Sequence, residues 1–293
     1  MIKYVSYCKV GLSFQTFARK VIYRRPGRAS ELEILNEARA IEKLCKDSGN
    51  KHIVTVFDHG WLTTANYYFF DMELGDFTLE NYVLGGKIEA PFEVLRNFGP
   101  DVYSTYNLSE TSKIMEQLTS AIAFIHGKGE IHRDLKPRNG MDHSNPVSLY
   151  LVLFSWKATA WKITDFGLTA EGGSKKANTT VYARGSSGYR APELIEDEHR
   201  TFTNKVDIWA LGCILFEIFS GKKAFANDFM IFDYRQRGKK LQFDRADQHS
   251  TDNSRDSLNE ILDNMLEIEP SARKTAEDFH TEFLSLLLRS QRL

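Results

Sequence analysis

The sequence has few cysteines and almost no net charge, and each of these features argues against a class of protein. Its 293 residues include three cysteines, Cys8, Cys45 and Cys213, which lie far apart along the chain. So sparse and odd a set does not form a disulfide framework, and we expect an intracellular, reducing location, cytoplasmic, nuclear or both. The formal net charge is −1 with no long basic run, which argues against a nucleic-acid partner and against binding to an anionic membrane.

Long apolar runs are also missing. Residues 1–10 lack the apolar stretch of a secretory signal, and residues 283–288, the most apolar segment near the end, are far too short to cross a bilayer. We therefore expect no membrane segment and interpret residues 283–288 as part of a final packing helix. The length suits one large domain or two modest ones.

The apolar pattern predicts strands followed by helices. Short runs of β-favouring residues predict strands within residues 1–25, and further strands at 52–57 and 67–74 with a turn over 58–66. An irregular connection is expected over 85–107. After it, apolar residues at helical spacing predict three helices: one that ends near Gly127, one over 206–219 and one over 258–266. This order indicates an α+β fold with a small strand-rich lobe and a larger helical lobe.

One helix interrupts the strand-rich part and carries an unusual carboxylate. Ser30 and Glu33 form a capping box, which predicts a helix from Ser30 to about Lys46. Its apolar stripe includes Glu37, and a charge that points into a core needs a partner of opposite sign. The other members of the stripe are Ile34, Ala38, Ile41 and Cys45.

Three motifs occur in a fixed order in the helical part. They are Ile131-His132-Arg133-Asp134-Leu135-Lys136-Pro137-Arg138-Asn139, then Asp165-Phe166-Gly167 after a predicted strand at 161–164, then Ala191-Pro192-Glu193. With Lys20 and Glu37 upstream, this ordered set resembles the catalytic domain of the protein kinase family, in its Ser/Thr form. The resemblance runs from about Phe17 to Leu288 and implies one kinase domain over 1–293, with a lobe boundary between residues 74 and 75.

The resemblance implies a role for each polar group of these motifs. Asp134 is expected to orient the substrate hydroxyl and accept its proton, and Lys136 to neutralise the migrating γ-phosphate of ATP. Asn139 and Asp165 are expected to bind Mg²⁺, because amide and carboxylate oxygens are hard ligands.

The nucleotide contacts are carried over in the same way. Lys20 is expected to hold the α- and β-phosphates of ATP and to pair with Glu37, which answers the question of that residue's partner. The hinge between the lobes is expected at Met72, the gatekeeper, followed by Glu73, Leu74 and Gly75, whose backbone groups face the adenine.

The resemblance also gives the substrate class and a mode of control. Lys136 in Asp-Leu-Lys-Pro and Ser186 in the loop before Ala-Pro-Glu imply a protein substrate with a serine or threonine acceptor, and Ser186 is expected to touch Asp134 and Lys136. Arg133 implies control by an upstream kinase, since its guanidinium can clamp a phosphate. The candidate phosphate acceptors in the activation loop are Ser174, Thr179 and Thr180.

Two charged residues are expected to be architectural. The resemblance implies that Asp207 ties down the backbone of the catalytic loop and that Arg273 pairs with Glu193. Both lie in segments that otherwise read as core, where a charge needs a partner. His132 is expected to pack rather than to bind a ligand.

Two features depart from the family pattern. No glycine precedes Gly11, and the segment Ser6-Tyr7-Cys8 stands where the phosphate-covering loop should have glycines if Val10 matches the valine that ends it. Residues 140–151 read as an insertion between Asn139 and the strand at 152–155. An active Ser/Thr kinase and an impaired kinase or pseudokinase that serves as a binding module both remain open, whereas a small-molecule phosphotransferase is disfavoured.

Overall fold

The computed structural model describes most of the chain. The residues described are 2–10, 13–24, 28–45, 49–63, 66–83, 108–137, 152–155, 157–174, 177–195, 200–238, 240–243 and 252–290. The irregular connection expected at 85–107, the insertion expected at 140–151 and Asn139 therefore lie outside the described residues. Within these ranges, no helix is both long and apolar enough to cross a bilayer.

The N-terminal lobe is an antiparallel sheet with one helix. Strands β1 (Ile2–Val10), β2 (Ser13–Tyr23), β3 (Val56–Trp61) and β4 (Tyr67–Met72) are ordered β1-β2-β4-β3. Helix α1 (Arg28–Leu44) joins β2 to β3. The predicted stripe of α1 is buried, and Ile34 and Ile41 are each 2% exposed. Burial of this stripe supplies the hydrophobic stabilisation that fixes α1 against the rest of the core.

Three boundaries in this lobe differ from prediction. Helix α1 begins at Arg28, two residues before the predicted cap at Ser30, and ends at Leu44. The predicted strand at 52–57 is wrong, because β3 starts at Val56 and runs through Trp61. Residues 52–54 are apolar for another reason: Val54 donates a hydrogen bond to the carbonyl of Ile163 and the carbonyl of His52 accepts one from Ile163, which buries this crossing segment.

The segment Ser6-Tyr7-Cys8 is not a loop. It lies in the middle of β1, paired with Phe17, Thr16 and Gln15 of β2. The alignment of Val10 with the end of a glycine loop is therefore wrong, since Val10 ends β1 and pairs with Ser13, the first residue of β2. The edge strand β1 pairs directly with the strand that carries Lys20.

The C-terminal lobe is mainly helical, and the fold class is α+β as predicted. Its central helix α4 is buried on nearly all sides, and Gly212 lets it approach α6 so closely that a Cβ there would lie 2.8 Å from the side chain of Leu266. Helices α3, α4, α6 and α7 confirm the predicted helical segments. The helices of this lobe are α2 (Leu79–Val83), α3 (Leu108–Gly127), α4 (Lys205–Ser220), α5 (Asp228–Arg237), α6 (Asp252–Met265) and α7 (Ala276–Ser290).

Short strands place the motif residues at the junction of the lobes. A three-stranded sheet has the order β5-β7-β8, and two-stranded sheets pair β6 with β9 and β10 with β11. Strand β6 leads into the catalytic loop and β8 leads into Asp165, so both motifs leave the same region of the fold. The strands are β5 (Phe77–Thr78), β6 (Glu130–Ile131), β7 (Val152–Ser155), β8 (Ala160–Ile163), β9 (Ala170–Glu171), β10 (Asn178–Thr180) and β11 (Arg200–Phe202).

Candidate active site

Lys20 lies between two carboxylates at the junction of the lobes. It projects from β2, pairs with Glu37 of α1 and reaches Asp165 at 3.0 Å from its ammonium nitrogen. The side chains of Lys20 and Glu37 are 1% and 5% exposed. The contact that the sequence predicted between them is present, and it explains why a glutamate occupies an apolar stripe.

The electrostatics of this triad favour the charged forms of Lys20 and Asp165. Burial lowers the pKa of Lys20, but Asp165 and Glu37 outweigh this effect and raise that pKa above its ordinary value. Burial raises the pKa of Asp165, and Lys20 more than reverses the change, so the pKa of this carboxyl lies below its ordinary value. Burial and the nearby Asp165 raise the pKa of Glu37, against the opposing effect of Lys20. The site therefore holds an ionised carboxylate at Asp165, which suits it to bind a cation.

The Asp-Phe-Gly segment is fixed by packing and by its backbone. Asp165 has φ 65°, a left-handed conformation that is rare outside glycine. Phe166 is buried and packs edge-on against His132 with ring centroids 5.6 Å apart. A Cβ at Gly167 would lie 3.3 Å from oxygens of both Asp165 and Glu37, so this glycine leaves room beside the carboxylates.

The backbone of the catalytic loop is hydrogen-bonded to the central helix α4 of the C-terminal lobe. Asp207 at the start of α4 accepts hydrogen bonds of 2.8 Å from the backbone N–H groups of His132 and Arg133. His126 at the end of α3 contacts the same carboxylate at 2.9 Å. The predicted role of Asp207 in holding this backbone is thus visible as contacts, and Arg133 is held at φ 71°.

Asp134 and Lys136 share a serine hydroxyl. Ser186 donates a 2.7 Å hydrogen bond to Asp134, and Lys136 donates to the hydroxyl oxygen of Ser186 and to Asp134 at 3.0 Å. The predicted contacts of Ser186 are both present. Gly185 reaches this position with φ 98° and a Cβ there would lie 2.8 Å from the carbonyl of Arg133, so the close approach of the two loops requires glycine.

The residues predicted to form the hinge lie at the end of β4 and just after it. Met72 is buried beside Thr164, and the N–H of Glu73 donates to the carbonyl of Thr55 at 3.0 Å. The Glu73 carboxylate turns away from the hinge backbone to bind Lys162 at 2.7 Å. The N–H of Glu73 is therefore already engaged within the protein.

The last two hinge residues differ in exposure. Leu74 is exposed, whereas a Cβ at Gly75 would lie 2.7 Å from the side chain of Leu153 in β7. The hinge therefore lies flat against the small sheet of the C-terminal lobe. This contact requires a residue without a side chain at Gly75.

Arg184 of the predicted activation segment lies near Arg133 of the catalytic loop. Burial and the nearby guanidinium of Arg184 lower the pKa of Arg133 to about 10. Its Nε and one Nη have no hydrogen-bond partner among the described residues, and its guanidinium stacks on Phe202 at 4.3 Å. Of the candidate acceptors, Ser174 and Thr179 are exposed, and Thr180 is half-buried and donates to the carbonyl of Tyr182.

Sequence reasoning missed Asp228, which holds the loop before Ala-Pro-Glu against the C-terminal lobe. This residue begins α5, accepts a 3.0 Å bond from the N–H of Gly188 and pairs with Arg190. Asn227 caps the helix by accepting from Met230. The sequence did signal a helix start here, since Asn-Asp before a helical run is typical of one. It did not signal the contact with Gly188, which lies 40 residues earlier in the chain.

The remaining predicted site residues fall into two groups. Arg273 makes the predicted pair with Glu193 through two bonds of 2.8 and 2.9 Å. The predicted metal ligand Asn139 lies outside the described residues, so its position relative to Asp165 is not part of this description. Within the described ranges, no cluster of three or more His, Cys, Asp or Glu side chains is arranged to hold a metal ion.

Two lobes that meet at a lysine held between two carboxylates define a class of nucleotide-dependent phosphotransferases. The family model of the protein kinase domain matches residues 4–283, and the chain belongs to that family. It is 31% identical over 257 residues to the serine/threonine-protein kinase chk-2 of Caenorhabditis elegans, which covers 85% of this chain and 45% of that protein.

Other relatives carry related names. The chain is 27% identical over 278 residues to the bovine phosphorylase b kinase gamma catalytic chain, liver/testis isoform, covering 90% of this chain and 58% of that one. It is 29% identical over 184 residues to the MAP kinase kinase kinase mkh1 of Schizosaccharomyces pombe, covering 62% and 15%. The matched region therefore spans between 15% and 58% of the length of these three relatives.

Proposed function

We propose that this domain transfers the γ-phosphate of ATP to a serine or threonine hydroxyl of a protein substrate. The observation that carries the proposal is the contact of Ser186 with Asp134 and Lys136. A carboxylate that accepts a hydrogen bond from one alcohol, beside a lysine that binds the same oxygen, has the groups needed to receive a second alcohol. The names of the relatives agree with this substrate class.

Each side chain has a proposed part in the transfer. Asp134 orients the substrate hydroxyl and accepts its proton at a carboxylate oxygen, and Lys136 offsets the charge on the transferred phosphoryl group. Lys20, positioned by Glu37, holds the α- and β-phosphates. Asp165 is ionised and fits Mg²⁺, with Asn139 as the proposed second ligand; when bound, the cation neutralises phosphate oxygens.

The hinge and the activation segment complete the proposal. The backbone from Glu73 through Leu74 to Gly75 binds the adenine edge, with Met72 behind it. Phosphorylation of the activation segment by an upstream kinase places a dianion on Arg133 and Arg184, which gives the guanidinium of Arg133 a partner and offsets its repulsion by Arg184. The candidate sites are Ser174, Thr179 and Thr180.

The extent and location of the domain also belong to the proposal. We place one domain over residues 1–293, with the lobes divided between 74 and 75. Cys45 and Cys213 are free and buried, which supports a reducing intracellular compartment, cytoplasmic or nuclear.

An impaired kinase that acts as a binding module is the second candidate. It is favoured by one observation: β1 carries no glycine and forms a regular strand against β2. Where no glycine turn supplies backbone N–H groups over the phosphates, both the affinity for ATP and the turnover are reduced.

Two measurements separate these candidates. Transfer from ATP to serine, threonine and tyrosine peptides tests catalysis, and calorimetric titration with ATP, with and without Mg²⁺, tests binding. Asp134→Asn keeps the shape of the side chain but removes the base, so we expect unchanged ATP affinity and a turnover lower by roughly 10²–10⁴. Equal turnover by the two proteins excludes Asp134 as the base, and binding of Mg-ATP without any transfer selects the binding module.

A further inference from the structure

Helix α1 presents a polar stripe to the C-terminal lobe. Asn36 donates a 2.8 Å hydrogen bond to the carbonyl of Thr169, just after the Asp-Phe-Gly segment. Arg39 and Lys43 follow at helical spacing and both reach Glu130 in β6. Residues three and four apart share one face of a helix, so one edge of α1 is tied to the other lobe along its length.

The centre of this tie is a fully buried carboxylate. Glu130 is 0% exposed and accepts bonds of 2.6 and 2.9 Å from the two Nη atoms of Arg39 and one of 2.7 Å from Lys43. Glu171 of β9 binds Arg39 at 3.0 Å from an exposed position. Two cations and two carboxylates cancel, so the cluster has no net charge.

The electrostatics follow this geometry. Burial alone raises the pKa of Glu130, but Arg39 and Lys43 reverse the effect and place it below the ordinary value. The carboxylate is therefore ionised and depends on two residues of another lobe for its compensation. If α1 moves away, Glu130 loses both cations and three charge-assisted hydrogen bonds, so the pairing favours the docked position of α1.

The same helix carries Glu37, two residues before Arg39, and Glu130 lies two residues before His132 of the catalytic loop. We propose that Glu130 is a positioning residue: by binding Arg39 and Lys43 it holds α1 against the C-terminal lobe and so keeps Glu37 on Lys20. The inference rests on the proposed function for its catalytic consequence, but the docking of α1 can be measured without any activity.

Hydrogen exchange of α1 is the first measurement. Arg39→Gln and Glu130→Gln are expected to speed amide exchange in α1 about tenfold or more relative to α3, because a broken buried pair exceeds the 1.4 kcal/mol that corresponds to a factor of ten. Glu171→Gln is expected to change it much less, since its side chain is 70% exposed.

A matched control uses another ion pair of the same helix. Glu31 of α1 pairs with Arg24 within the N-terminal lobe, 3.4 Å apart and exposed. Glu31→Gln should leave α1 exchange within about twofold of wild type. In the double variant Arg39→Gln with Glu130→Gln, the decrease in the free energy of α1 opening, read from its exchange rate, should be smaller in magnitude than the sum of the two single effects, as expected for direct partners.

Peptide phosphorylation is the second measurement. Loss of the ion pairs between Glu130 and helix α1 should lower kcat about tenfold with little change in the KM for peptide. The reason is that the contact between Glu37 and Lys20 would be formed in a smaller fraction of the molecules. Arg39→Lys keeps the charge and should recover most of the loss. If Glu130→Gln fails to fold, Arg39→Gln carries the test, since Arg39 is partly exposed.

The outcomes are decisive in either direction. Unchanged α1 exchange in Arg39→Gln and Glu130→Gln refutes the proposal, and so does faster exchange with unaltered kcat. If the wild-type chain transfers no phosphate, the proposed function fails separately, while the exchange data still decide whether Glu130 holds the helix.

Discussion

Removing Lys20 should destabilise the domain by an amount that depends on pH. In Lys20→Met, the carboxylates of Glu37 and Asp165 lose their shared cation while their side chains stay 5% and 15% exposed. A broken buried pair costs about 3–5 kcal/mol. Uptake of a proton by Glu37 limits that cost, since each pKa unit corresponds to about 1.4 kcal/mol. We expect a loss of about 2–4 kcal/mol in the free energy of unfolding at pH 7.5, a large part of a typical domain's stability.

The sign of the pH dependence follows from the carboxyl groups. Burial already raises the pKa of Glu37, and loss of Lys20 raises it further. A carboxyl with a pKa above its unfolded value contributes stability below that value and loses it as the pH rises through the folded pKa. The loss in the free energy of unfolding of Lys20→Met relative to wild type should therefore become smaller as the pH falls from 7.5 to 5.5.

Urea unfolding followed by tryptophan fluorescence at the two pH values measures this deficit. Lys20→Arg keeps the positive charge and serves as the control, with a smaller loss at pH 7.5 and little change with pH. A Lys20→Met protein as stable as wild type at pH 7.5, or a deficit that grows on acidification, would contradict the role of Lys20 as the cation shared by two buried carboxylates.

Three further predictions concern other parts of the chain. Asp165→Ala should weaken Mg-ATP binding and abolish its Mg²⁺ dependence in calorimetric titrations; an unchanged dependence excludes Asp165 as a metal ligand. The pKa of Asp207 is lowered, because His126, His132 and the N–H of Arg133 outweigh burial, so its stabilisation is present above the unfolded pKa and is lost on acidification. Asp207→Asn should lose less stability than wild type between pH 5 and pH 2 in urea titrations, because the contribution is lost around and below the unfolded pKa of about 3.9, and equal losses argue against this role. Deletion of residues 140–151 should leave the melting temperature unchanged or higher, because long loops close at little extra entropic cost; a large fall would show that residues 149–151 belong to the core.

Local sequence predicted the helices and the need for a cation beside Glu37 for physical reasons, whereas the choice of Lys20 came from the family resemblance. A helix with a continuous apolar stripe has few alternatives, and a glutamate within such a stripe demands a cation. The start of β3 was misplaced because residues 52–54 are as apolar as a strand, while their burial comes from hydrogen bonds with Ile163, far along the chain.

The Glu130 cluster marks the limit of that reasoning. Arg39 and Lys43 read as ordinary solvent-facing residues of an amphipathic helix, and their partner lies 91 and 87 residues away. Glu130 carries the same signal as Glu37, a carboxylate next to apolar residues, but no motif points to it. Contacts of this kind depend on how the lobes dock, which no local pattern encodes.

Arg133 is unfavourable for the folded chain on three counts: its left-handed backbone, a desolvated guanidinium and its neighbour Arg184. A glycine at this position releases the backbone strain, about 1–2 kcal/mol, and removes the charge conflict. Directed evolution that selects only for heat resistance is therefore expected to replace Arg133 early, and the improved variants will have lost the side chain that we propose binds a phosphorylated activation segment.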